Sequence, residues 1–454
     1  MTTERRMPST RISRLAVLGR LAGGVAGSVA SEGARQLGRG YRPSLNELLL
    51  TPANVQRLAD RLSEMRGAAM KVGQLLSMDG GNLLPPQLSE ILNKLRDNAH
   101  QMPLGDVARI LKGAWGDHWN ESFKRFNFTP MASASIGQVH DATLKDGRRL
   151  AIKIQYPGVR RSIDSDIDNV AALFRLFKLL PKEIDVTGLL LEAKQQLHAE
   201  ADYRREACSL QQFAVLLEGD QRFQVPSVDD EYTTSDVLAM QYMDGRPIEC
   251  VAEESQARIT GTASALLELA FREVFEWGVV QTDPNFANFL CDPRSGTIQL
   301  LDFGATRAYP AETCALLRTL LLAAVEGNDA DIQSAAIAIG YLHADDGTPY
   351  RDAVTTLLRT ATEPLRSPGC YAFGSSDLAK RMQDLVIDMR IQKKFARIPP
   401  AEILFLHRKL GGLYLLFSHL RVKLPVKDLV APYAMPPGDA EGVNREMGQR
   451  MILQ

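Results

Sequence analysis

No apolar run in this 454-residue chain is both long enough and free enough of charge to span a bilayer. Residues 15–30 come nearest, and Ser28-Val29-Ala30 imitates a signal cleavage site. Arg20 interrupts that run, which argues against an export signal. A second apolar stretch, 403–420, is broken by His407, Arg408 and Lys409 and reads as a buried helix of a helical lobe. Cysteine is scarce as well. Five residues (208, 250, 291, 314, 370) are scattered without C-x-x-C spacing. That argues against a disulfide frame or a zinc site and fits a reducing, cytoplasmic setting. The seven histidines are dispersed, with no pair at metal-ligand spacing. A net charge of −1 argues against nucleic-acid binding by the molecule as a whole.

What is present is an ordinary globular balance, 45% hydrophobic and 24% charged, with length for two to three domains. Charge is unevenly placed. Residues 1–42 carry eight Arg (5, 6, 11, 14, 20, 35, 39, 42) against two Glu (4, 32). Gly19, Gly23, Gly27 and Ser31 recur every four residues, leaving one helix face almost bare. Such a segment suits an anionic membrane surface, on the inner face of a membrane, and the bare face suits a homodimer. A bundle-packed or frayed terminus fits equally well.

Thr51-Pro52 is a strong helix start, and the stripe Leu58, Leu62, Met65, Ala69, Val72, Leu75 and Leu76 predicts one helix ending at Gly80-Gly81. Pro85-Pro86 starts another, through about residue 97, and a third is expected over about 104–114. From Phe123 the texture turns to strands. Gly137 to Leu144 and Arg149 to Tyr156 flank Asp146-Gly147, a hairpin turn signal. Helices are expected at about 159–180 and 186–217, then a short strand from Asp236 to Tyr242, then mostly helix to about 430. The division is 1–42 (basic segment), 43–118 (helical extension), 119–243 (strand-rich lobe), 244–435 (helical lobe) and 436–454 (flexible tail). Strands first and helices later make an α+β, two-lobed chain.

The chemistry concentrates in 281–304. Gln281-Thr282-Asp283-Pro284-Asn285-Phe286-Ala287-Asn288 is followed, after a short hairpin, by Asp302-Phe303-Gly304. An Asp, an Asn five residues on and a later Asp-Phe-Gly have the spacing of a protein-kinase catalytic loop and metal loop. Asp283 would orient the attacking hydroxyl or water, while Asn288 and Asp302 offer hard oxygen donors to Mg²⁺. Asp283 alone would read as a turn residue; the joint pattern reverses that. Gln281-Thr282 stands where kinases carry His-Arg, so no Arg is present to answer activation-loop phosphorylation. Lys153 lies within the apolar strand Leu150 to Ile154, where an unpaired ammonium is costly. In a kinase-like lobe it reaches the ATP phosphates, held by a helix Glu. Glu206 is the favoured partner and Glu200 the second choice. Asp202 and Glu206, four apart, would share one helix face. Ala132-Ser133-Ala134-Ser135 occupies the place of a phosphate-covering loop, stiffer than a Gly-rich one. ATP would sit between Lys153 and the strand end at Met240 and Tyr242.

These motifs resemble the UbiB-like (aarF-domain) atypical kinases, linked to ubiquinone biosynthesis. Four segments carry the likeness: Lys71-Val72-Gly73-Gln74, the Ala132–Ser135 loop, Glu200-Ala201-Asp202, and Gln281 to Asn288 with Asp302-Phe303-Gly304. The resemblance implies a protein-kinase-like fold in which the Lys71–Gln74 helix lies across the substrate cleft. Glu200 and Asp202 would be its counterparts, leaving an autoinhibited Mg-ATP site. It further implies an ATPase supporting quinone synthesis at a membrane, with quinone precursors, anionic lipids and quinone-biosynthesis proteins as partners. Two other readings stay open: a phosphotransferase acting on a small molecule or lipid, and a non-catalytic, nucleotide-gated module for lipids or partner proteins.

Overall fold

The computed structural model describes residues 51–78, 101–177, 187–389 and 399–434, with the isolated positions 23, 27–31, 34–36, 38, 48–49, 90–92, 95 and 179. Most of the basic segment 1–42, the Gly80-Gly81 stop, most of the helix expected after Pro85-Pro86 and the tail 436–454 lie outside the described residues. The chain divides into two compact units, 1–211 with 227–243, and 212–226 with 244–454.

The first unit is built on an antiparallel sheet. Strand Gly137–Leu144 pairs with Arg149–Gln155 across the turn at Gly147 (φ 95°), a conformation glycine adopts without strain. The sheet continues to Phe123–Phe126 on one side and to Val237–Gln241 on the other. Ala132 and Ser133 form a short strand of their own, opposite Val139 and Gln138. Both central strands are covered on both faces, so their burial runs nearly unbroken where the sequence suggested alternation. One cover is the helix Leu104–Trp115, whose Val107 and Leu111 are fully buried. Trp115 and Trp119 close this core against Phe123 and Tyr232 with offset and edge-on ring contacts.

Two long helices expected from periodicity are each two helices. Pro52–Glu64, capped by the Thr51 hydroxyl, ends at Met65, and Arg66–Met78 follows. At Gly67 a Cβ would meet Ile136 Cγ2 at 2.9 Å and the Ser135 carbonyl at 3.1 Å, so the second helix presses on the Ala132–Ser135 segment. Likewise Thr187–Glu200 stops and Tyr203–Leu216 begins anew. The break is chemical. The Asp202 carboxylate accepts from the Arg204 N–H at 3.2 Å, and the Ala201 carbonyl is taken by Gln155 Nε2 at 2.7 Å. Asp202 therefore caps the helix that carries Glu206 and does not share its face.

The second unit is mainly helical around a core that includes Val280, Tyr309, Leu317, Ile332, Tyr341 and Ile403. It also contains a small sheet that the sequence did not reveal in full. Ile298–Leu300 pairs in parallel with Phe223–Gln224 and antiparallel with Phe289–Cys291, which pairs in turn with Arg246–Pro247. Two-residue strands carry too little pattern to be seen locally. Separately, Val279–Gln281 pairs with Thr306–Ala308. Among the described residues no helix is long and apolar enough to cross a membrane.

Leu111→Ala removes a fully buried side chain from the helix–sheet core. We expect a loss of about 2–5 kcal/mol in a urea titration followed by Trp115 and Trp119 emission. A loss below about 1 kcal/mol would mean that the helix contributes little to that core.

Candidate active site

In the second unit, helix Gln256–Arg272 runs into a π-helical turn, Glu273–Trp277, that Gly278 ends with a left-handed backbone (φ 61°). The turn directs Glu273 into the interior, where its carboxylate meets Lys409 of the helix Ala401–His419. Burial pushes the Glu273 carboxyl up and the Lys409 ammonium down, and each is opposed by the other's charge. The pair is used for positioning. Glu273 Oε2 accepts from the Gln281 N–H at 2.9 Å, and Lys409 Nζ donates to the Gln281 carbonyl at 2.9 Å.

Gln281 passes this order on. Its side-chain amide donates to the Asp283 carbonyl at 3.0 Å and to the Asp302 carbonyl at 3.2 Å. The two loops are thus joined through one carboxamide. Thr282 is buried, with its hydroxyl on the Ala305 carbonyl at 2.7 Å. Asn288 Nδ2 donates to Asp283 Oδ2 at 3.0 Å, and Asp302 Oδ1 accepts from the Gly304 N–H at 2.9 Å. Because the Asn288 nitrogen is committed to a carboxylate, its carbonyl oxygen is the atom offered to a cation. A carboxylate and an amide carbonyl are a hard-oxygen donor set that fits Mg²⁺. Arg408 NH2 donates to Asp283 Oδ1 at 2.6 Å, and a Cβ on Gly412 would sit 2.2 Å from the Pro284 Cβ.

In the first unit Lys153 sits opposite Val139 and Leu238 and is 7% exposed. Its ammonium donates to both oxygens of Glu206, at 2.8 and 3.1 Å, and Glu206 is 1% exposed. Glu200 instead meets Lys71 of the helix Arg66–Met78 and accepts from the Ser135 hydroxyl at 3.2 Å. The two lysines and two glutamates therefore sort into two pairs. Gln74 lies half-buried on the Lys71 helix, and Asp202 serves as the helix cap. Ala132 and Ser133 are exposed, while Ala134 and Ser135 are half-buried. Met240 is buried opposite Ala151, and the Tyr242 ring is covered by the Arg149 guanidinium at 3.5 Å.

The model of the ABC1 atypical kinase-like domain matches residues 94–336. The Saccharomyces cerevisiae mitochondrial atypical kinase COQ8 is 36% identical over 91% of this chain and 83% of its own length. The chain belongs to the ABC1 atypical kinase-like family. The COQ8B atypical kinase of Rattus norvegicus is 37% identical over 94% of this chain and 81% of its own. The coq-8 protein of Caenorhabditis elegans is 38% identical over 92% of this chain, which spans 57% of that longer protein. Among solved structures, the complex of Rv3197 with erythromycin from Mycobacterium tuberculosis is similar with a TM-score of 0.60 and 28% identity. It covers 83% of this chain and 95% of its own. The fold is accordingly α+β and kinase-like.

Sequence reasoning missed Arg408, Lys409 and Glu273, and gave Gln281 no task. A signal was present: three polar residues inside the apolar run 403–420 must find partners if that helix is buried. The neighbouring His407 faces Tyr341, which shares a hydrogen bond with it.

Burial holds the His407 imidazole down to about 4 from an ordinary 6.5. Between those values the unfolded chain binds the extra proton, so stability falls as pH drops through that window. The full effect is about 3 kcal/mol. Unfolding followed by emission of Trp277, in the second unit, should show wild type losing that much more than His407→Gln between pH 7 and 4. Parallel pH profiles would contradict the assignment.

Proposed function

We propose that this protein is a magnesium-dependent, kinase-like ATPase that supports ubiquinone biosynthesis as a peripheral protein at a membrane surface. The observation that carries the reading is the Gln281 carboxamide bonded at once to the Asp283 and Asp302 carbonyls. It holds the Asp283 loop beside the Asp302 loop, as a nucleophile-orienting loop beside a metal loop would require. In the first unit, the buried Lys153–Glu206 pair offers an ammonium of the kind that neutralises phosphate oxygens. Mitochondrial COQ8 relatives support the link to quinone synthesis.

In this reading Lys153, held by Glu206, would neutralise phosphate oxygens, and the Ala132–Ser135 segment, Met240 and Tyr242 would line the nucleotide. Asn288 and Asp302 would hold Mg²⁺, which would supply charge neutralisation on the phosphates. The Asp283 carboxylate orients the attacking oxygen. Little covalent chemistry is left for the protein, so catalysis is positioning and electrostatics. The Lys71–Glu200 pair, together with Ser135, ties the Lys71–Gln74 helix to the Ala132–Ser135 segment. That bond supports an autoinhibited state and argues against phosphorylation of proteins in trans, with Gln74 and Asp202 as accessory residues of the lock.

A second reading has one observation behind it. The similar structure from Mycobacterium tuberculosis is a complex with erythromycin, and a small-molecule acceptor would make the chain a phosphotransferase. Product analysis separates the two: free phosphate for hydrolysis, a phosphorylated acceptor for transfer.

Asp302→Asn should lower Mg²⁺-dependent ATP turnover by about a hundredfold or more. The assay is run with and without anionic lipid vesicles, on the full chain and on a chain lacking residues 1–42. Stimulation by vesicles that disappears with the truncation is expected. Unchanged turnover in Asp302→Asn would mean that the metal assignment is wrong, and vesicle stimulation that survives truncation would remove the basic segment from the account.

A further inference from the structure

We propose that Arg408 is a positioning residue of the phosphoryl-transfer site, fixing the Asp283 carboxylate through one oxygen while Asn288 fixes it through the other. The inference rests on the reading of Asp283 just given. The catalytic loop itself, Gln281 to Asn288, contains no cation. The position before Asp283 is Thr282, buried and engaged with Ala305. The positive charge comes instead from a residue 125 positions away, on a helix beyond the segment 94–336 that the family model matches.

The geometry is specific. Arg408 NH2 lies 2.6 Å from Asp283 Oδ1, and Asn288 Nδ2 lies 3.0 Å from Oδ2. A terminal carboxylate torsion is broad, so one bond would leave its plane undefined, whereas two bonds on opposite oxygens define it. Each oxygen has a second lone pair, so an attacking hydroxyl or water still finds an acceptor. The guanidinium is only 15% exposed and the carboxylate 23%, which keeps this charge-assisted bond strong.

The helix that delivers Arg408 is held on both sides of it. His407 bonds Tyr341, Lys409 bonds Glu273 and the Gln281 carbonyl, and Gly412, one turn on, admits Pro284 of the catalytic loop. Consecutive helix positions point about 100° apart, so the three polar residues anchor in three directions. The backbone that carries Arg408 is therefore held against the loop. This is the arrangement of an outer residue that sets the orientation of a catalytic one.

The test uses the full chain as wild type, Arg408→Gln, Arg408→Lys, Asp283→Asn, the double variants and Asp302→Asn. Turnover of Mg-ATP and binding of a fluorescent ATP analogue are both measured. Arg408→Gln should lower kcat by about 10–100-fold while KM and analogue affinity stay at wild-type values. Arg408→Lys keeps charge but not the fork, and should recover to within about tenfold of wild type. On an Asp283→Asn background either Arg408 change should have no further effect on kcat. Wild-type kcat in Arg408→Gln, a defect confined to KM, or losses that multiply in the double variant would overturn the proposal. Should Arg408→Gln fail to fold, the Arg408→Lys pair carries the same cycle. The control separates the two levels. Asp302→Asn behaving as wild type would sink the phosphoryl-transfer reading. Asp302→Asn collapsing while the Arg408 variants stay fast would sink the Arg408 assignment alone.

Discussion

The second unit depends on one buried ion pair, Glu273 with Lys409. Placing a carboxylate and an ammonium where water cannot reach them is costly, and only close pairing with further hydrogen bonds offsets it. Here the further bonds are both backbone groups of Gln281. Satisfying the charges and fixing the strand are therefore the same act. Fixing the strand in turn fixes the Gln281 side chain, which joins the Asp283 and Asp302 loops. Removing one partner would leave an uncompensated buried charge and release both loops together. The π-helical turn at 273–277 is what aims Glu273 inward, so a local irregularity of the helix serves the arrangement of a distant site.

The first unit obeys the same electrostatic rule with a different result. Four charged side chains sort into Lys153–Glu206 and Lys71–Glu200, each lysine buried beside one carboxylate. The helix break at Ala201-Asp202 makes this possible. A continuous helix would hold Glu200 and Glu206 in a fixed rotation about one axis. Two helices allow each carboxylate to face its own lysine. The price of the break is small, because Gln155 and the Asp202 side chain satisfy the interrupted backbone groups.

Much of this was legible in local sequence. The Asp283 and Asp302 loops, which Gln281 joins, stand out because their residues lie within about 20 positions of one another. Strong punctuation also read through: Asp146-Gly147 as a turn, and Thr51-Pro52 as a helix start. Continuity of the helices was misread, because an apolar stripe persists across Met65 and across Ala201-Asp202 while the backbone does not. Arg408 and Lys409 were visible only as interruptions in an apolar run. Their partners stand 125 and 136 positions away, and no local pattern encodes a pairing of that span. What the sequence does offer is the demand that such cations be paired; the fold decides with what.

The most direct test of this account is a crystal structure of the protein with Mg²⁺ and a non-hydrolysable ATP analogue. The account requires the ion to be held by the Asp302 carboxylate and by the carbonyl oxygen of Asn288, with the Asn288 nitrogen still turned toward Asp283. An ion bound through other residues, or an Asn288 whose amide has turned away from Asp283, would contradict it.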